Sequence, residues 1–224
     1  CPVCGTGVVR PEGEAVTRCP NAACPAQRRA TIEHFAAEGA LDIDGLGEKL
    51  VERLVGEGLV ESPADLFTLE ADDVASLEGY AERSAKNLIE AIDAARERVT
   101  LPRLIFGLGI PHVGKATADA LAAAFGSLEA LAEADLDDLR GVEGLGPTVA
   151  SAIHAWFDTK ANRELLRDLH QRGVRPKTRP RGDRLRGKTI VLTGALDSMS
   201  RDEAEEAVRL QGGQARSSVS GETD

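Results

Sequence analysis

The chain has 224 residues, 42% of them apolar, with 27 basic and 37 acidic side chains and a net charge of −10. That content can bury a core in one to three domains, whereas the lack of any run of about 18 apolar residues and of a signal-peptide pattern argues against a membrane protein or a secreted one. Uniform acidity would argue against nucleic acid, and aromatics at 3% disfavour stacking of splayed single-stranded bases.

The charge is not uniform, however. Residues 1–40 are neutral, 41–100 carry −9, 101–160 carry −4, 161–190 carry +7 and 191–224 carry −4. An acidic chain with one basic belt can still hold a polyanion if backbone amides, rather than lysines, supply the contacts.

All four cysteines fall at the start: Cys1, Cys4, Cys19 and Cys24, spaced C-x2-C-x14-C-x4-C. Two short knuckles separated by a mid-teens loop can bring four thiolates to the corners of a tetrahedron, the geometry of one structural zinc ion. Gly5 and Gly7 let the chain turn round the metal. A pair of disulfides is the alternative, disfavoured in a cytosolic setting, and four cysteines leave no open position for catalysis. A module this small should take most of its folding free energy from the metal. Arg10, Arg18, Arg28 and Arg29 either reach phosphate or are solvated surface.

Residues 26–39 read as a helix ended by Gly39, with Ile32, Phe35 and Ala36 on one face and His34 beside them, a surface or satisfied histidine rather than a fifth metal ligand. Four copies of one phrase follow. They are Ile43-Asp-Gly-Leu-Gly-Glu-Lys-Leu, Leu77-Glu-Gly-Tyr-Ala-Glu-Arg-Ser, Ile110-Pro-His-Val-Gly-Lys-Ala-Thr and Val142-Glu-Gly-Leu-Gly-Pro-Thr-Val. Their third turn positions, Gly47, Ala81, Gly114 and Gly146, step by 34, 33 and 32 residues, which is an internal repeat. Ser62 and Ser127, and Gly79 and Gly144, are each 65 apart, and Gly45 to His112 is 67. The duplicated unit is therefore a pair of copies, about 40–95 and 106–160.

Each copy predicts a tight turn followed by a helix. Ser62-Pro63 with Asp65, and Asp135 with Asp138, supply N-caps. Behind the turns, apolar residues at helical spacing predict core faces: Leu50, Val51, Leu54 and Val55; Ala85, Leu88, Ile89 and Ile92; Ala118, Leu121, Ala122 and Phe125; Val149, Ala150 and Ile153. A turn glycine permits close backbone approach, and the next helix presents free N–H groups and a positive dipole end, a site for phosphate. One such turn would more simply be a helix stop; four in register favour phosphate. The candidates are Gly45, Gly47, Gly109, Gly114, Gly144 and Gly146, with Lys115 as the side chain at phosphate and Lys49 a weaker one. The second copy has Ala81 where glycine is expected. His112 is either a phosphate donor or simply a turn residue. For His154, Trp156 and His170 packing is the default.

Residues 171–187 contain two prolines, three glycines and seven basic side chains, a linker by composition with an attraction for polyanions. Lys188–Gly194 reads as a buried strand, Ser200–Glu203 as a capping box opening a helix, Gly212-Gly213 as its stop and Gln214–Val219 as a second strand. Strand, crossover helix and strand imply a parallel pair that rarely stands alone, so this stub is expected to be poorly ordered or to depend on a neighbour.

The G-h-G turns at Gly45-Leu-Gly47, Gly79-Tyr-Ala81, Gly109 to Gly114 and Gly144-Leu-Gly146 resemble the helix-hairpin-helix motif, and Gly187-Lys-Thr-Ile-Val-Leu-Thr-Gly194 looks like the opening of a BRCT domain. With Cys1-Pro-Val-Cys-Gly5, Glu12-Gly-Glu-Ala-Val16, Asp42-Ile-Asp-Gly-Leu-Gly47, Pro63-Ala-Asp-Leu-Phe67 and Met199-Ser-Arg-Asp202, the whole chain resembles the C-terminal part of a bacterial NAD-dependent DNA ligase. The resemblance implies a mainly α chain divided into a Cys4 zinc finger (1–30), a domain of four helix-hairpin-helix motifs in two pairs (31–175), a basic linker (176–187) and an incomplete α/β BRCT start (188–224). It implies a parent enzyme that seals nicks in duplex DNA, with NAD bound upstream and with adenylation and OB domains as upstream partners. The chain opens at Cys1, inside a motif, and Asp42-Ile-Asp44-Gly45 lacks the lysine of K-x-D-G. A non-catalytic, nick-clamping fragment without sequence specificity is therefore expected. A non-ligase repair or recombination protein and a protein-interaction scaffold are the alternatives.

Overall fold

The computed structural model describes residues 1–10, 15–21, 23–177, 184–185, 188–193, 199–211 and 213–216. Within them the chain is mainly helical. At the N-terminus, Val9 and Arg18 form an isolated antiparallel bridge, exchanging N–H···O bonds of 2.8 Å in both directions, so the two cysteine knuckles lie at the open end of a short hairpin.

Helix α1 spans Pro25–Ala36 with proline in its first turn, where a missing N–H costs nothing. It ends three residues before Gly39. Ala37 turns to ψ 158°, and Arg103, reaching from a later helix, caps the loop by donating to the Glu38 and Ala40 carbonyls at 2.6 and 2.7 Å. The last carbonyls of α1 are taken by the loop itself, Leu41 N–H donating to Phe35 at 3.1 Å and Ile43 N–H to Ala36 at 3.0 Å.

Each repeat is then a pair of helices around a turn. The first copy closes with α2 (Glu48–Gly56), packed on α1. A 3-10 turn (Pro63–Thr68) and α3 (Ala71–Ala75) lead to the second copy and α4 (Glu82–Arg98). The third copy is α5 (Leu101–Gly107) against α6 (Lys115–Phe125); α7 (Leu128–Glu133) and α8 (Leu136–Arg140) lead to the fourth, closed by α9 (Pro147–Asp158). Helix α10 (Lys160–Gln171) packs on α9 and reaches back to the 3-10 turn of the first half.

The caps fall where the serines and aspartates sit. The Asp65 carboxylate accepts from the N–H groups of Glu61 and Ser62 at 3.1 and 2.8 Å and from the Ser62 hydroxyl at 2.9 Å. Asp135 accepts from the N–H groups of Asp137 and Asp138 at 2.9 and 2.8 Å. The apolar faces behind the turns join one core running from Ile32 through Leu54, Ile92 and Leu121 to Ile153 and Val174. Val55, Ile89, Ala122, Phe125 and Val149 pack at its margin. His34 is satisfied, its Nε2 2.8 Å from the Phe106 carbonyl oxygen and its ring edge-on to Phe106.

Besides the shared core and the Arg103 contacts, the two halves meet around their connection. Only Val99 and Thr100, 2% and 5% exposed, separate α4 from α5, and the Lys177 N–H donates to the Val99 carbonyl at 2.9 Å as the chain leaves α10. Close by, Arg172 at the end of α10 donates to Asp65 at 2.9 Å, and its carbonyl accepts from Arg96 of α4 at 3.4 Å. The last described segment is strand β1 (Thr189–Val191), helix α11 (Arg201–Leu210) and strand β2 (Gln214–Arg216), with β1 parallel to β2. This is the expected crossover unit, although β1 is half-buried rather than buried. Residues 178–183 and 186–187 of the basic belt, Gly194 at the expected strand end, Gly212 of the expected helix stop and the expected continuation of β2 to Val219 lie outside the described residues.

Candidate metal centre and nucleic-acid interface

The four Sγ atoms of Cys1, Cys4, Cys19 and Cys24 lie within 4.8 Å of one another. Two of the separations are 3.9 Å (Cys1 to Cys24) and 3.6 Å (Cys4 to Cys19). A disulfide requires about 2.05 Å, and all four cysteines are free. A tetrahedron with metal–sulfur bonds of about 2.3 Å has sulfurs about 3.8 Å apart, so the donor set fits a structural zinc ion.

Local chemistry builds that arrangement. Gly5 takes φ +72° and donates to the Cys1 carbonyl at 2.9 Å, closing the first knuckle. Hydrogen bonds with the Thr6 hydroxyl and backbone lower the Cys4 thiol from 9.0 to about 6, whereas at Cys19 the Asn21 backbone hydrogen bond is outweighed by burial and the neighbouring sulfurs, which raise that thiol. Cys24 is fully buried and occupies the N-cap position of α1, without a side-chain cap hydrogen bond, where the helix dipole favours negative charge. The module is tied to the helices by ion pairs from α1, Arg28 to Glu61 at 2.9 Å and Arg29 to Glu52. Arg29 thus faces a carboxylate of α2, and Arg28 one in the bend that precedes the 3-10 turn.

At the hairpins the four turns share one geometry. The first turn position is left-handed in every copy: Gly45 at φ +79°, Gly79 at +91°, His112 at +65° and Gly144 at +83°. The second position points inward, with Leu46 and Val113 buried and Tyr80 and Leu145 half-buried, and its N–H donates three residues back. The third position is the N-cap of the following helix in every copy: Gly47, Ala81, Gly114 and Gly146, at φ −85°, −87°, −91° and −77°.

Those third positions are informative because the fold does not ask for glycine there. Their φ values suit any residue, as Ala81 demonstrates. A Cβ added to Gly47, Gly114 or Gly146 would meet nothing within 4 Å. All three are exposed, and among the described residues their N–H groups have no backbone acceptor. A bare glycine that neither torsion nor packing requires is what close approach of another molecule to the backbone would explain, beside the free donors of a helix N-terminus.

The other candidates are distributed as follows. Lys115 is the first residue of α6, and its stem crosses Gly39, where an added Cβ would lie 2.3 Å from Cε. Lys49 is exposed in the first turn of α2. Gly109 lies outside the turn proper. It follows the end of α5 at φ +65°, with His34 3.5 Å from where its Cβ would be. Asp42 occupies the matching place before the first turn, at φ +55°. That left-handed aspartate escaped sequence reading, although its spacing of 67 from Gly109 equals that of Gly45 from His112. Trp156 packs edge-on against Phe157 with centroids 5.0 Å apart.

Three family models match parts of the chain. Residues 1–26 match the family described as the NAD-dependent DNA ligase C4 zinc finger domain. Residues 38–94 match the SAM-like helix-hairpin-helix tandem, and residues 103–166 the helix-hairpin-helix motif. Among curated relatives, the DNA ligase of Alkalilimnicola ehrlichii is 50% identical over the whole of this chain and 34% of its own length. Those of Desulfosudis oleivorans and Roseiflexus sp. are each 46% identical over the whole chain, which covers 34% and 32% of them.

Proposed function

The chain belongs to the NAD-dependent DNA ligase family and spans about a third of the length of the curated relatives it matches, and on that premise we propose that it is the duplex-gripping part of an enzyme that seals nicks in DNA. The observation that carries the reading is the set of bare third-position glycines, Gly47, Gly114 and Gly146, each at the start of a helix. Their amides, with those of the first helical turn, donate to phosphate oxygens, and no side chain stands in the way. Gly45 and Gly144 shape the bends, Gly109 sets the entry to the third, and Lys115 adds charge beside Gly114. Contacts of this kind position a duplex without reading its sequence.

In this reading Cys1, Cys4, Cys19 and Cys24 hold one structural zinc ion, whose chemistry is confined to fixing the knuckles. The Arg28 to Glu61 and Arg29 to Glu52 pairs carry that rigidity into the first hairpin pair. Nucleotidyl transfer with NAD belongs to adenylation and OB domains upstream in the parent chain, in the cytoplasm. Residues 176–187 are a basic tether and 188–224 the start of a BRCT domain.

The test is binding of a labelled nicked duplex at two salt concentrations, by wild type and by a Gly114→Asp, Gly146→Asp double variant. Aspartate is a favoured N-cap residue and both positions are sterically open, so helicity and melting temperature hold or improve. The new carboxylates face phosphate, so affinity falls by at least about tenfold, equivalent to about 1.4 kcal/mol. Unchanged affinity would rule the hairpins out as the grip and leave a scaffold whose turns only pack.

A further inference from the structure

Building on the reading of the hairpins as the duplex grip, we propose that His112 is a further DNA-contacting residue whose imidazole N–H donates to a backbone phosphate oxygen at the third hairpin. The inference comes from comparing residues that hold a left-handed backbone. Among the described residues two that are not glycine have positive φ, Asp42 and His112. They occupy reciprocal places in the duplicated pairs: Asp42 stands where the third copy has Gly109, and His112 stands where the first has Gly45. The fold therefore accepts glycine at both places, and a side chain there works against the torsional preference of an L-residue.

For Asp42 the compensation is visible. Its carboxylate lies 3.3 Å from Arg98 and 3.7 Å from Arg103, and its carbonyl also accepts from Arg98. His112 has no such return. It is exposed, and no hydrogen bond or ion pair engages it among the described residues. The bend it sits in is complete without it, since Val113 N–H donates to Ile110 O at 3.0 Å just as Leu46, Tyr80 and Leu145 do in their copies. The ring stands two residues before Gly114, at the mouth of the 11-residue helix α6. Imidazole offers an N–H donor in every protonation state, and a phosphate oxygen held by the Gly114 amide lies within reach of such a ring.

The experiment compares wild type, His112→Gly, His112→Asn and the Gly114→Asp, Gly146→Asp control in two measurements: melting temperature and affinity for a labelled nicked duplex. Glycine relieves the torsion, so His112→Gly melts at the same temperature or higher while binding about tenfold more weakly, the value of one hydrogen bond to a charged acceptor. Asparagine tolerates the left-handed region and keeps a donor, so it recovers part of the affinity. If His112→Gly binds like wild type while the control loses affinity, His112 is not a contact and the inference alone fails. A joint fall in melting temperature and affinity for His112→Gly makes the histidine a structural residue and also overturns it. If the control binds like wild type, the hairpin reading itself is wrong and His112 falls with it.

Discussion

Replacing Asp65 by alanine tests what holds the two hairpin pairs together. The carboxylate accepts from two backbone N–H groups and one hydroxyl at the head of the 3-10 turn, and from Arg172 at the end of α10. Loss of an N-terminal cap costs about 1 kcal/mol. The ion pair, with side chains 26% and 25% exposed, lies between the 0–1 kcal/mol of exposed pairs and the larger cost of breaking buried ones, so about 1 kcal/mol is assigned to it. Asp65→Ala should therefore cost about 2 kcal/mol, or about 4–8 °C in melting temperature for a chain of this size. A double-mutant cycle with Arg172→Ala, read by circular dichroism melts at pH 7, should return about half of that cost as coupling. Partial burial pushes the Asp65 carboxyl up, but the Ser62 hydroxyl, the Glu61 and Ser62 N–H groups and Arg172 outweigh it and hold the carboxyl below its ordinary 3.8. The native state thus binds the proton less readily than the unfolded chain. The stabilisation is fully present above pH 3.8 and disappears as pH falls through the lower native value. Zero coupling, or a gap between wild type and Asp65→Ala that widens on acidification, would refute this account.

Other perturbations should separate the parts. Phe35, fully buried and edge-on to Phe67 with ring centroids 6.2 Å apart, should cost about 3–5 kcal/mol as alanine, measured by denaturant unfolding. Gly144→Ala should cost about 1–2 kcal/mol through torsion alone, because φ is +83° and nothing lies within 4 Å of the new methyl; an Asn at the same place should cost less. Metal analysis should return one zinc per chain, and a chelator should unfold residues 1–24 while far-ultraviolet dichroism retains the helices of the hairpin pairs. A chain that binds no zinc, or whose helices melt with the chelator, would contradict that separation.

Much of this was readable in the sequence because it rests on local rules. The turn positions, the spacing of the cysteines, the caps at Ser62 and Asp135 and the apolar faces behind each turn depend on residues within a few places of one another. What escaped reading depends on residues distant along the chain. Helix α1 ends at Ala36, before Gly39, and the loop after it is held by Arg103. Arg28 and Arg29 meet Glu61 and Glu52, and Asp42 keeps a left-handed backbone because Arg98 and Arg103 reach it. None of these partners leaves a local signal. Duplication did offer one clue, the exchange of glycine and non-glycine between Asp42 and Gly109 and between Gly45 and His112. It becomes informative only when the torsions are known.

The short connection between α4 and α5 has a mechanical consequence. Val99 and Thr100 are sealed from solvent and latched by Lys177, so turning one duplicated half against the other means breaking that packing. The separation of their turns behaves as a ruler and not as a pair of jaws. A polymer lying across both must match that fixed pitch or flex until it does, and the work of adjustment falls on it and not on the protein.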